Sequence, residues 1–170
     1  VDVQLVDESG RPVWEGAAGE IEVRGPLVFL EYWGRAADTA AAFREGWFRT
    51  GDMAVRENGA YRLLGRTAVD IIKTGGFKVS ALEIEDVLRS HPAAAECAVV
   101  GVADEEWGER VAAAIELRPS AALSLQELQQ WAKDRLAPYK VPRAMRTVDA
   151  LPRNTVGKVI KPEVAALFPN

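Results

Sequence analysis

The chain has 170 residues, 48% of them hydrophobic and 27% charged, with a formal net charge of -4. That balance suits a folded globular protein and excludes a disordered chain. The acidic total argues against a dedicated nucleic-acid binder, and no apolar run approaches the ~20 residues of a membrane span. Cys97 is the single cysteine, so an intrachain disulfide is excluded and a reducing, cytoplasmic setting is expected. Its neighbours Ala98, Val99 and Val100 mark it as a buried small hydrophobe. The charge is unevenly spread. Residues 138–162 hold Lys140, Arg143, Arg146, Arg153, Lys158 and Lys161 against Asp149 alone. Such a stretch suits a polyphosphate ligand, or is a solvated segment with no ligand.

The first third reads as β structure. Val3 and Leu5 alternate with polar residues before a Ser9-Gly10 turn. Residues 20–24 alternate again and stop at Gly25-Pro26. A short helical turn is expected from Asp38 to Phe43, with Asp38 as its N-cap. Two strands, Met53 to Arg56 and Tyr61 to Leu64, flank Asn58-Gly59, a strong hairpin signal. The texture then changes. Val69 to Lys73 is a β-branched strand, and residues 81–88 form an amphipathic helix capped by Ser80, with Glu83 completing a capping box. Glu96 to Val102 and Val111 to Leu117 are apolar, buried strands. Ser124 caps a second helix that ends at Ala137-Pro138. Arg143 to Val148 is a last strand, and Pro162 to Phe168 a terminal helix with proline in its first turn. The predicted fold class is α+β: a small β-barrel-like part over residues 1–65, a hinge at 66–70, and a compact domain over 71–170. That domain is expected to hold a three-stranded sheet with flanking helices. Because the chain opens on Val1 inside a strand-like pattern, excision from a longer protein is expected.

Four segments carry candidate chemistry, and each has a plain alternative. Asp52 follows Thr50-Gly51; an ionised carboxylate can accept from both hydroxyls of a ribose, or simply close a turn. Arg66 follows Gly65, and a guanidinium can fork onto ribose or phosphate oxygens, or stand as a surface arginine. Gly75-Gly76-Phe77-Lys78 joins a strand to the capped helix. Its glycines permit close backbone approach to a ligand, or simply make a tight turn; the Gly-x-x-x-x-Gly-Lys-Ser/Thr phosphate loop is missing. Lys158 ends the run Pro152-Arg153-Asn154-Thr155-Val156-Gly157-Lys158. It is a mobile point charge suited to stabilising charge on a phosphate oxygen, or a solvated lysine. Trp107 reads as a nucleotide rim or a packing cap, and His91, the sole histidine, as a helix C-terminal cap. No metal-ligand cluster or catalytic triad can be assembled around one histidine.

Together these runs resemble the C-terminal part of the adenylate-forming superfamily of acyl-CoA synthetases, luciferases and peptide-synthetase adenylation domains. Trp47-Phe48-Arg49-Thr50-Gly51-Asp52 resembles the family's ribose-binding run, Gly65-Arg66 with Asp70, Ile72 and Lys73 its hinge run, and Pro152-Arg153-Asn154 with Gly157-Lys158 its adenylation-lysine run. Gly75-Gly76-Phe77 through Glu83-Ile84-Glu85 resembles the loop and helix lining the thiol's path. Residues 65–83 most resemble the malonyl-CoA and methylmalonyl-CoA synthetase branch. The resemblance implies Lys158 as the catalytic residue of acyl-adenylate formation, and Asp52 and Arg66 as nucleotide-binding. It implies Ala68, Val69 and Asp70 as the hinge, and Gly75, Gly76, Phe77 and Lys78 as the coenzyme A and thiolation segment. Most relatives carry Asp or Lys where Ala68 stands, which leaves the pivot between Ala68 and Asp70. Mg-ATP and coenzyme A are implied as substrates of a parent enzyme, with no tightly bound cofactor and no metal site here. The implied partners are a large N-terminal adenylation domain of the same polypeptide and a small carboxylate, with malonate or methylmalonate the suggested acids; no nucleic acid and no membrane span is involved. The family's phosphate loop is absent from the chain, so the piece alone is expected to be inactive. A carrier-protein phosphopantetheine could replace coenzyme A, although the end at Pro169-Asn170 with no following carrier domain favours free coenzyme A. A nucleotide-sensing or protein-interaction module is the non-enzyme alternative.

Overall fold

A computed structural model describes residues 1–169. The chain divides into two compact units, Val1–Ala68 and Val69–Asn170.

The first unit is an antiparallel sheet of five strands. β1 (Asp2–Val6) pairs with β2 (Ala18–Arg24), and β2 with the long β4 (Trp47–Glu57). The other edge of β4 is shared by β3 (Phe43–Arg44) at its start and β5 (Ala60–Arg66) at its end. Asn58 and Gly59 both take positive φ, 52° and 80°, as a tight hairpin turn between twisted strands requires. Register shifts between Glu20 and Glu22 and between Met53 and Ala54 add local twist and curl the sheet. Before β3 runs α1 (Ala36–Ala42). Asp38 is not its N-cap: Arg35 occupies that position, and Asp38 sits in the first turn with its carboxylate 2.7 Å from Arg35 Nε. The ion pair takes up the carboxylate that the sequence offered to the helix terminus. Leu5, Val6, Met53, Ala54 and Val55 are buried, and Phe29, Tyr32, Phe43 and Phe48 form a cluster of ring contacts.

The second unit is a mixed sheet covered on both faces. The β6 (Ile71–Thr74) and β7 (Phe77–Ser80) hairpin leads into α2 (Ala81–Arg89). β8 (Ala94–Asp104) and β9 (Gly108–Leu117) make a long antiparallel ladder. After α3 (Leu125–Lys133) and a 3-10 turn (Pro138–Lys140), β10 (Ala144–Val148) adds to β9 in parallel, and α4 (Lys161–Ala165) follows. The sheet thus holds five strands, ordered β10-β9-β6-β7 with β8 on β9, rather than the expected three. The α+β class stands; the hairpin of β6 and β7 enlarges it. Phe77–Ser80 is only four residues long and runs straight into a helix cap, so it carries little strand signal of its own.

Burial on both faces explains why β8 and β9 are apolar through their central stretches, residues 97–102 and 111–115. Val99, Val111, Ala113 and Ile115 face one cluster with Ile84, Leu88 and Leu128. Ala98, Val100, Ala112 and Ala114 face the other with Leu151, Val164 and Phe168. Leu88 and Leu128 are 0% exposed, and burial of each such side chain contributes roughly 1.5–3 kcal/mol. Ser80 and Ser124 accept from the backbone N–H of Glu83 and Glu127, as their spacing predicts, and Ser124 completes the reciprocal capping box. His91 does not cap α2. Ser90 holds the C-cap position, while His91 Nδ1 accepts from Ala93 N–H at 3.1 Å and its ring meets Trp131 edge-on. Cys97 is buried, as expected, and burial pushes its thiol up to about 12.

Candidate functional site

Lys158 combines a fixed backbone with a free head. The residues around it form a small hairpin closed by a bridge between Arg153 and Val159. Asn154 organises the turn: its Oδ1 accepts from Val156 N–H at 3.1 Å and Lys158 N–H at 2.9 Å. Its backbone N–H donates to Lys158 O at 2.8 Å, and its carbonyl accepts from Gly157 N–H at 2.9 Å. Gly157 has φ 83°, a conformation that a Cβ would strain. Arg153 Nη1 donates to Gly157 O at 2.8 Å, while its other terminal nitrogen lies 3.6 Å from Glu96 Oε2. Arg153, Asn154 and Gly157 therefore each hold the loop, and the Lys158 side chain projects exposed from it.

In the first unit the structure brings Asp52 and Arg66 together. They stand opposite each other on β4 and β5, with Arg66 Nε 3.2 Å from Asp52 Oδ1. The side chains are 37% and 66% exposed, so the pair contributes only about 0–1 kcal/mol and both groups reach solvent. Thr67 N–H donates to Gly51 O at 2.9 Å, fixing the strand ends that present them.

Ala68 is the last residue of the first unit and Val69 the first of the second. Asp70 is already anchored within the second unit: its carbonyl accepts from Ala81 N–H at 2.7 Å at the start of α2.

Gly75 and Gly76 turn the β6–β7 hairpin with φ 56° and 81°. A Cβ on Gly75 would lie 2.8 Å from the Trp107 ring, whose carbonyl accepts from Gly75 N–H at 2.9 Å. Trp107 is thus a packing partner of the glycine turn. The Arg143 guanidinium lies over its ring, 3.7 Å from the centroid. Phe77, 51% exposed, stacks on Tyr139 with centroids 4.1 Å apart and planes 8° apart. Lys140 Nζ donates to Glu83 Oε1 at 2.6 Å beside them. Sequence reasoning missed Tyr139 and Arg143. The signal was present in Pro138-Tyr139-Lys140-Val141-Pro142-Arg143, where two prolines stiffen a segment rich in aromatic and cationic groups. These residues offer flat rings, a forked cation and glycine backbone, a combination chemically able to receive an extended chain bearing phosphates.

Among the described residues, no group of three or more His, Cys, Asp or Glu side chains is arranged to hold a metal ion. Nor is any helix among them long and apolar enough to cross a membrane.

Residues 83–158 match the AMP-binding enzyme C-terminal domain. The chain is 51% identical to the mitochondrial malonate–CoA ligase ACSF3 of Xenopus laevis, over 91% of this chain and 27% of that protein. It is 46% identical to a malonate–CoA ligase of Arabidopsis thaliana, over 89% and 27%. Among solved structures, ATP-bound MatB from Rhodopseudomonas palustris matches with a TM-score of 0.88 at 36% identity, over 98% of this chain and 33% of that one. The o-succinylbenzoate CoA synthetase of Bacillus subtilis, in complex with its acyl-adenylate intermediate, matches with a TM-score of 0.86 at 35% identity, over 96% and 33%. The chain spans roughly a quarter to a third of the length of these relatives. With its motifs, fold and relatives in agreement, the chain belongs to the adenylate-forming superfamily and carries its AMP-binding enzyme C-terminal domain.

Proposed function

We propose that the chain is the C-terminal portion of an AMP-forming acid–thiol ligase. In that reading residues 1–65 end the large adenylation domain, 66–70 form a hinge, and 71–170 form a lid. The observation that carries it is the Lys158 hairpin: a rigid loop presenting one exposed ammonium, in a family built around adenylate formation. A carboxylate oxygen attacks the α-phosphorus of Mg-ATP, and pyrophosphate leaves. Lys158 stabilises the charge that gathers on the phosphoryl oxygens. Asp52 accepts from the ribose hydroxyls, and Arg66, held beside it by a weak surface ion pair, forks onto the nucleotide. The thiol of coenzyme A then attacks the acyl carbonyl, and AMP departs. Rotation about Ala68–Asp70 exchanges Lys158 for the Gly75, Gly76, Phe77 and Lys78 segment, with Tyr139 and Arg143 beside it, along the thiol's path.

Malonate is the favoured acid, since two of the similar proteins are named malonate–CoA ligases. Their names also favour free coenzyme A over a carrier-protein arm as acceptor. The large domain supplies the phosphate loop, so the chain alone is inactive. A reducing compartment, cytosolic or the mitochondrial one that the frog relative's name carries, suits the buried thiol. The test is Lys158→Ala in the ligase that contains this chain. Pyrophosphate release from ATP and malonate falls by at least about 100-fold, while thioester formation from supplied acyl-adenylate persists. Equal loss in both steps would remove the proposed role.

A further inference from the structure

Three residues beyond Lys158 stands a lysine in the opposite environment. Lys161 opens α4 with its side chain only 14% exposed. Its ammonium donates to the Glu85 carboxylate on α2 and, at 2.8 Å, to the backbone carbonyl of Val99 on β8. Asp70 Oδ1 lies 3.8 Å away. Glu85 is itself 5% exposed, and its Oε1 also accepts from Val99 N–H at 2.8 Å. Ions withdrawn from water to this degree carry a large desolvation cost, so the cluster adds little net stability over an apolar packing of equal volume. What it does supply is fixed geometry: two directed hydrogen bonds hold the ammonium to α2 and β8, and the Asp70 carboxylate adds a longer ion pair.

Those elements span the lid from base to arm. Asp70 lies two residues past the division between the units, Val99 belongs to the core cluster, and Glu85 is a buried carboxylate of α2. Lys161 follows directly on the hairpin that presents Lys158. We propose that Lys161 is a positioning residue for Lys158: its ammonium ties the lysine-bearing arm to α2 and β8 by hydrogen bonds, with Asp70 on the hinge side as a looser ion pair. Movement of the second unit then delivers the Lys158 ammonium to one place. This rests on the adenylation role given to Lys158 above. The β6–β7 turn with Gly75 and Phe77 makes no use of Lys161, so thiol transfer does not depend on the tie.

The test compares Lys161→Met, Lys161→Arg, Glu85→Gln and Lys158→Ala in the ligase containing this chain. It reads pyrophosphate release from ATP and malonate, and separately thioester formation from supplied acyl-adenylate and coenzyme A. Lys161→Met slows the first step about 10- to 100-fold and leaves the second within about threefold, because a displacement near 1 Å is felt only where Lys158 acts. Lys161→Arg restores most of the first step. An equal fall in both steps, or no fall in the first, overturns the proposal. Should Lys161→Met fail to fold, Glu85→Gln, which keeps the side-chain shape and removes the charge, is read by the same split. If Lys158→Ala spares pyrophosphate release, the adenylation role itself fails. If Lys158→Ala stops it while Lys161→Met and Glu85→Gln do not, only the positioning role falls.

Discussion

The two units of this chain are built to different standards of self-sufficiency. In the second, two apolar clusters sandwich a sheet whose central strands are buried on both faces. In the first, five buried aliphatic residues support a sheet of similar strand number, while Trp14, Leu27, Leu30 and Trp33 are all more than four-fifths exposed. Apolar exposure on that scale is unusual for a finished surface. The second unit therefore carries its own core, as the proposed lid role requires. The exposed apolar side chains of the first suit its proposed place at the end of a larger domain; the chain covers about a quarter of its relatives' length.

Core truncation is expected to have the largest effect, and only in the second unit. Leu128→Ala, at a site with 0% exposure, is expected to cost about 2–5 kcal/mol of the second unit's stability, whereas Leu30→Ala, at a site 91% exposed, stays within about 0.5 kcal/mol. Urea unfolding followed by a probe in each unit checks both values, and similar costs at the two sites would erase the distinction drawn here. A smaller effect sharpens it. In the second unit, partial burial works to raise the Glu96 carboxyl, but hydrogen bonds from Arg89 and from Cys97 N–H outweigh it and hold the group below its ordinary value. A carboxyl depressed on folding contributes stability above its unfolded value, lost as pH falls through the folded one. Glu96→Gln should therefore lower thermal stability at neutral pH and lose that effect in acid. Asp2→Asn, in the exposed Asp2–Arg24 pair of the first unit, should change little at either pH.

Legibility in the sequence followed the range of the interactions. The Asn58-Gly59 turn, the Ser124 capping box and the apolar runs of β8 and β9 rest on neighbours a few residues apart, and the structure has them where the sequence predicts. Strand β7 escaped because its pairing with β6, not its own four residues, makes it a strand. Asp38 was misassigned because an adjacent arginine competes for its carboxylate. The cluster joins Lys161 to partners 76 or more positions away, Glu85 and Asp70, with no periodicity to link them, and in the sequence Lys161 is one more member of a basic stretch. For the candidate site, Asp52 and Arg66 could be singled out separately, but their meeting across two strands needed the fold. Tyr139 and Arg143 join the glycine turn only through tertiary packing.

The claim that Lys158 is half of an active site, with the phosphate-holding half elsewhere, is tested most directly by pyrophosphate release. The 170-residue chain is supplied with Mg-ATP and malonate, beside the longer ligase proposed to contain it. Release by the ligase and none above background from the chain alone is the expected result. Clear turnover by the chain alone would contradict the account, because it would mean that these residues hold the triphosphate without any further domain.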